Sequence, residues 1–133
     1  MKIEGIDHVS IAVRDLESAE RLWERIFGKK AESHSVAGGT KHARFFLDNI
    51  AFELLESVDP DGEIGKFVQK RGEGVYFVCF KVDDADDVAA HLNSIGLKAF
   101  KFGDTERYFV HPKGMNGVLA ELTEGDQREA TET

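Results

Sequence analysis

Two glutamates stand in stretches whose neighbours are mostly apolar. Glu53 lies among Phe52, Leu54 and Leu55, and Glu121 lies between Ala120 and Leu122. A single residue of this kind is most simply an exposed carboxylate on an edge strand. Two at matched positions of a duplicated unit read differently, because a pseudo-twofold axis brings matched positions together. His8 and residue 77, a phenylalanine, form a second matched pair. Imidazole and carboxylate groups converging at such an axis could hold a divalent metal ion. His42 alternates in phase with Arg44, so the two share one face of a strand and can both point inward. A histidine can give or take a proton near neutral pH, although an exposed strand position would account for His42 as well.

The elements that would position these groups recur. Val9, Ile11 and Val13 alternate with His8, Ser10 and Ala12, which is strand spacing. Asp15 is then placed to cap a helix whose apolar stripe is Leu16, Ala19, Leu22, Trp23, Ile26 and Phe27, with Gly28 as its stop. From Val75 the pattern repeats. Val78, Phe80 and Val82 alternate with Phe77, Cys79 and Lys81, Asp83 or Asp84 caps, Val88, Leu92 and Ile95 form the stripe, and Gly96 stops it. The segment Ala51-Phe-Glu-Leu-Leu-Glu56 returns as Leu119-Ala-Glu-Leu-Thr-Glu124. Matched positions His8 and Phe77, Gly28 and Gly96, and Glu53 and Glu121 are separated by 69, 68 and 68 residues, so the copies differ by one loop residue.

Each copy reads as a strand, a helix and three further strands, expected near 32–37, 41–47 and 51–56 and again near 98–102, 106–110 and 117–123. The expected architecture is α+β: one domain over 1–133, made of two pseudo-symmetric βαβββ units (5–56 and 75–124) that form curved mixed sheets around a central cavity. Residues 57–74 link the units, with a short helix from Glu63 to Lys70, and 125–133 form a polar, frayed tail.

Composition limits the partners. A formal net charge of -8 disfavours nucleic acid and anionic membrane surfaces. No apolar run reaches the length of a membrane span. Met1-Lys2-Ile3-Glu4 lacks the apolar core of a secretion signal, and Cys79 is the lone cysteine, so a reducing cytoplasm is the expected compartment. Trp23 and Cys79 fit core packing and a buried, inert thiol. His34 and His91 fit surface positions, and His111, at a turn before Pro112, fits a structural hydrogen bond or a ligand contact.

Four segments together resemble a known family: Asp7-His-Val-Ser-Ile-Ala-Val-Arg-Asp-Leu16, Phe52-Glu-Leu-Leu-Glu56, Ile64-Gly-Lys-Phe-Val-Gln-Lys-Arg-Gly-Glu-Gly74 and His111-Pro-Lys-Gly-Met-Asn-Gly-Val-Leu-Ala-Glu-Leu122. They are similar to the vicinal oxygen chelate superfamily and, within it, to methylmalonyl-CoA epimerases. The likeness runs from Ile3 to Glu124. It implies metal ligands at His8, Glu53, position 77 and Glu121. Position 77 departs from the family, because Gly74-Val-Tyr-Phe77 stands where the family has Gly-Leu-His-His and phenylalanine cannot ligate. The loop from Lys101 to Arg107 is also shorter than the family's. The implied cofactor is a divalent metal ion (Co, Mn, Ni, Zn or Mg), held weakly or not at all without its fourth ligand.

The implied chemistry is proton transfer beside a thioester carbonyl. Glu121 matches one acid/base group, and gapless counting puts the other on His42. The implied substrate is a 2-carboxyacyl-CoA and the implied assembly a homodimer. Lys66, Lys70 and Arg71 could meet the phosphates of such a ligand or form a solvated face. Two other readings remain open: a metal-free protein that binds or sequesters a small molecule, and another glyoxalase-type metalloenzyme.

Overall fold

A computed structural model describes residues 1–101 and 103–126. The elements are β1 (Ile3–Ala12), α1 (Leu16–Phe27), β2 (Ser33–Ala37), β3 (Thr40–Phe46), β4 (Ala51–Ser57), α2 (Glu63–Arg71), β5 (Gly74–Val82), α3 (Ala85–Ser94), β6 (Ala99–Lys101), β7 (Tyr108–Val110) and β8 (Ala120–Thr123). Local chemistry sets the helix ends. Asp15 accepts a hydrogen bond from the Ser18 amide, and Gly28 closes α1 in the left-handed region at φ 73°. Asp84, the second of the two expected caps, accepts from the Asp87 amide.

The strands join into one mixed sheet of order β2-β3-β4-β1-β5-β8-β7-β6. Read outward from the centre, each half has the same order, β1-β4-β3-β2 and β5-β8-β7-β6. β1 pairs parallel with β4, as β5 does with β8, and β1 and β5 pair antiparallel at the centre. The sheets expected of the two units are therefore continuous through the β1–β5 ladder. The registers correspond too. Glu53 is opposite Ser10 on one side and Arg44 on the other, and Glu121 is opposite Cys79 and Phe109.

Alternation divides the side chains between two faces. On one face, α1 covers Ala43, Phe45 and Leu54, and α3 covers Val82, Val110, Ala120 and Leu122. On the other, α2 packs Ile64 and Val68 against Ala12, Leu55, Phe77 and Cys79. The close approach of α2 to the preceding turn explains Gly65, where a Cβ would lie 2.3 Å from the Pro60 carbonyl oxygen.

Several expected details differ. Leu22 and Ile26 are exposed, so the buried stripe of α1 is narrower: Leu16, Ala19, Trp23 and Phe27. At about 100° per residue, 22 and 26 fall on the flank of that stripe. Ile95 follows the last turn of α3 and is also exposed. β8 begins at Ala120, three residues later than expected, because Asn116 (φ 56°) and Gly117 (φ 80°) hold a turn ahead of it. β7 begins at Tyr108, where pairing with Leu122 starts. The expected tail lies, from residue 127 onward, outside the described residues, as does Phe102 of the expected sixth strand.

Candidate active site on the inner sheet face

Glu53 is interior because β4 lies between β1 and β3, and its side chain is 1% exposed. Its cross-strand neighbours meet it directly. The Ser10 hydroxyl donates to Oε1 at 2.7 Å, and Arg44 Nε donates to Oε2 at 2.9 Å. Arg44 is itself fully buried. Its Nη1 donates to the Ser33 and Ser35 hydroxyls at 3.3 and 3.1 Å. The carboxylate is thus neutralised and hydrogen-bonded through both oxygens, as a buried charge requires.

Glu121 occupies the matching register with weaker support. Cys79 stands in the place of Ser10 and Phe109 in the place of Arg44. Its Oε1 lies 3.7 Å from His8 Nε2 and 3.6 Å from Arg107 Nη2, beyond normal hydrogen-bond length. Oε1 and His8 Nε2 are both buried and without a hydrogen-bond partner. Burial raises the Glu121 carboxyl above its ordinary value. Arg107, His8 and the Cys79 thiol act in the opposite sense, and Glu53 adds to the rise. The Cys79 thiol is pushed up by burial and by Glu121, which keeps it protonated and unreactive.

His8 is fully buried and oriented by its sequence neighbour. Its Nδ1 lies 2.7 Å from Asp7 Oδ2. This contact fixes the ring so that Nε2 faces Glu121 Oε1. The Phe77 ring meets the imidazole edge-on, with centroids 5.6 Å apart. His42 is buried on β3, and burial lowers its pKa, with Glu53 opposing the shift and Arg44 and Arg107 adding to it. The surface explanation for His42 is therefore excluded. Its Nδ1 has no hydrogen-bond partner.

An open cleft of about 550 Å³ is bordered by Phe77, and none of His8, His42, Glu53 or Glu121 lines it. Phe67, Tyr76, Lys66, Lys70 and Arg71 also line it, and the Arg71 guanidinium lies over the Phe67 ring at 5.7 Å. The interior around His8 is packed: His8, Ser10 and Cys79 are all 0% exposed.

Comparison with known proteins assigns the family. Residues 7–114 match the model of the Glyoxalase/Bleomycin resistance protein/Dioxygenase superfamily. The chain belongs to this superfamily. It is 30% identical to the mitochondrial methylmalonyl-CoA epimerase of Dictyostelium discoideum over 92% of this chain and 79% of that protein. It is 32% identical to the human mitochondrial enzyme, covering 88% of this chain and 72% of that one. Among solved structures it is similar to a variant Streptomyces coelicolor methylmalonyl-CoA epimerase in complex with 2-nitronate-propionyl-CoA. The TM-score is 0.81 at 28% identity, over 91% of this chain and 94% of that one.

Within the superfamily frame, the donor atoms can be tested against a metal. Of the four implied ligand positions, Phe77 offers no donor, and both oxygens of Glu53 are engaged. A cation bound there would also face the buried Arg44 guanidinium. Among the four, His8 Nε2 and Glu121 Oε1 have no hydrogen-bond partner. Asp7, His8 and Cys79 do offer three ligand-type atoms within 4.8 Å of one another. Asp7 Oδ2 and His8 Nδ1, however, lie 2.7 Å apart and are engaged with one another. The described residues do not fit the family's four-ligand ion.

Sequence reasoning singled out His8, Glu53, Glu121 and His42, and all four are buried on the inner face. It gave no role to Asp7, Ser10 or Arg107, and it noted Arg44 only for its phase with His42. Asp7 could have been read from its place beside His8. Arg44 required the β3–β4 register. His34 pairs with Glu20, and His111 Nδ1 accepts from the Lys113 amide, so both serve local structure. No helix among the described residues is long and apolar enough to cross a membrane.

Proposed function

We propose that this chain is an epimerase-like isomerase that moves the α-proton of a 2-carboxyacyl-CoA. The observation that carries the reading is Glu121: a buried carboxylate whose Oε1 has no hydrogen-bond partner, in a fold shared with epimerases. Glu121 takes the α-proton from one face of the substrate carbon, and His42 returns a proton to the other. Burial raises Glu121 above its ordinary value and lowers His42 below its own, so neither titrates as an exposed group. Arg107, beside Glu121, supplies positive charge where the enolate oxygen develops. The cleft supports a thioester carrier, since Lys66, Lys70 and Arg71 can meet phosphates while Phe67, Tyr76 and Phe77 offer apolar faces.

The test is exchange of solvent deuterium into a panel of acyl-CoA thioesters. Exchange that is lost in Glu121→Gln supports the assignment. No exchange with any thioester by the unmodified protein transfers the site to the second reading, a small-molecule binding protein. That reading draws on the aromatic packing of Phe77 against His8 and Phe109. It also gains from the Arg44–Glu53 pair, which removes the cost of a lone buried carboxylate at Glu53. A cytoplasmic homodimer remains part of the proposal. Exposed Ile3 and Ile6 on β1 are apolar surface that a second copy could cover.

A further inference from the structure

We infer that Arg44 is a built-in cation that replaces a divalent ion in this site, so that the site binds and works without metal. Glu53 occupies the position where the family resemblance implies an oxygen ligand. Its Oε2 accepts from Arg44 Nε at 2.9 Å and its Oε1 from the Ser10 hydroxyl at 2.7 Å. The guanidinium is 0% exposed and is also held by Ser33 and Ser35. It is a fixed charge in a serine-lined cradle rather than a surface arginine folded inward. A metal at Glu53 would have to share the carboxylate with this donor and lie beside a buried guanidinium, and that charge repulsion opposes binding. Phe77 closes the neighbouring position, with its ring against His8. The two departures act together: one removes a ligand, and the other occupies a second ligand and supplies positive charge.

The exchange arm of the test rests on the proposed isomerase reading. The metal arm does not, so the two can fail separately. The parent protein is titrated with Mn2+, followed by its spin resonance, and with Co2+, followed by its visible absorption, both to millimolar metal. No stoichiometric binding is expected, and any deuterium exchange should be unaffected by EDTA. Arg44→Leu combined with Phe77→His should gain one site per chain, at least about 100-fold tighter than any binding by the parent. If that variant does not fold, adding Glu53→Gln keeps an oxygen donor without leaving an unpaired buried charge, and the same gain is expected. Three results would overturn the inference. The parent could bind one ion per chain with EDTA-sensitive exchange. Co2+ could bind the parent with a thiolate charge-transfer band, placing the ion on Cys79. A folded variant could gain no site, showing that Arg44 is not what excludes the ion.

Discussion

The two halves of the sheet hold the same carboxylate in the same register and treat it differently. In the first half, Ser10 and Arg44 flank Glu53 and saturate it. In the second, Cys79 and Phe109 flank Glu121, which keeps a buried oxygen with no hydrogen-bond partner. A duplicated fold supplies two equivalent positions. Two differences between the halves, serine against cysteine and arginine against phenylalanine, saturate one carboxylate and leave the other with an unpartnered oxygen. Because the backbones correspond, the contrast lies in the side chains.

The largest expected effect separates the carboxylates by reaction rate. Glu121→Gln should lower deuterium exchange by about 10²–10⁴-fold, since an amide cannot take the proton. Glu53→Gln should act chiefly on stability. Equal losses of exchange in both variants, with folding intact, would break the comparison. Next comes the ion pair. Arg44→Leu should destabilise the fold by about 3–5 kcal/mol, because it leaves the Glu53 charge buried and alone. Phe109→Leu, at the matched position, should cost only about 1 kcal/mol, as a hydrophobic exchange of similar size. Converting both partners, Arg44→Leu with Glu53→Leu, should recover most of the loss. Urea denaturation measures all three.

The pH dependence is smaller and runs in opposite directions for the two shifted groups. The carboxyl of Glu121 is raised in the fold above an ordinary 4.5. Its contribution to stability is therefore fully present below that pH and is lost as pH rises through the folded value. The imidazole of His42 is lowered from an ordinary 6.5, so stability falls as pH drops below 6.5 through its folded value. Glu121→Gln should flatten the first trend and His42→Gln the second, in melting temperatures followed across pH. Should Glu121→Gln leave the profile unchanged, Glu121 is not the poorly satisfied carboxylate of the pair. The smallest effect sharpens the contrast. Cys79→Ser installs the first half's hydroxyl beside Glu121 and should stabilise the fold near neutral pH by about 1 kcal/mol, through a stronger hydrogen bond to the carboxylate.

Much of this was legible in the chain. The repeat predicted that Glu53 and Glu121 occupy matched positions, and it put His8 and Phe77 on adjoining strands. Alternation put His42 and Arg44 on one face. Helix ends were readable because Asp15, Gly28 and Asp84 act on amides within their own turn. The width of the α1 stripe was less so. Apolar periodicity does not reveal that Leu22 and Ile26 reach past the sheet into solvent. The start of β8 was misplaced because the turn at Asn116 and Gly117 depends on backbone dihedrals that composition only suggests.

The sequence by itself determined the duplication, the two carboxylates and the phenylalanine that matches His8, because each is written in residue type and local spacing. Only the tertiary structure decided which carboxylate is neutralised. That depends on β3 lying against β4 with Arg44 opposite Glu53, and on β7 lying against β8 with Phe109 opposite Glu121. A hydrogen bond of 2.9 Å forms or fails according to cross-strand register. Register is fixed by the packing of the whole sheet, so the charge state of this site is a property of the assembled fold.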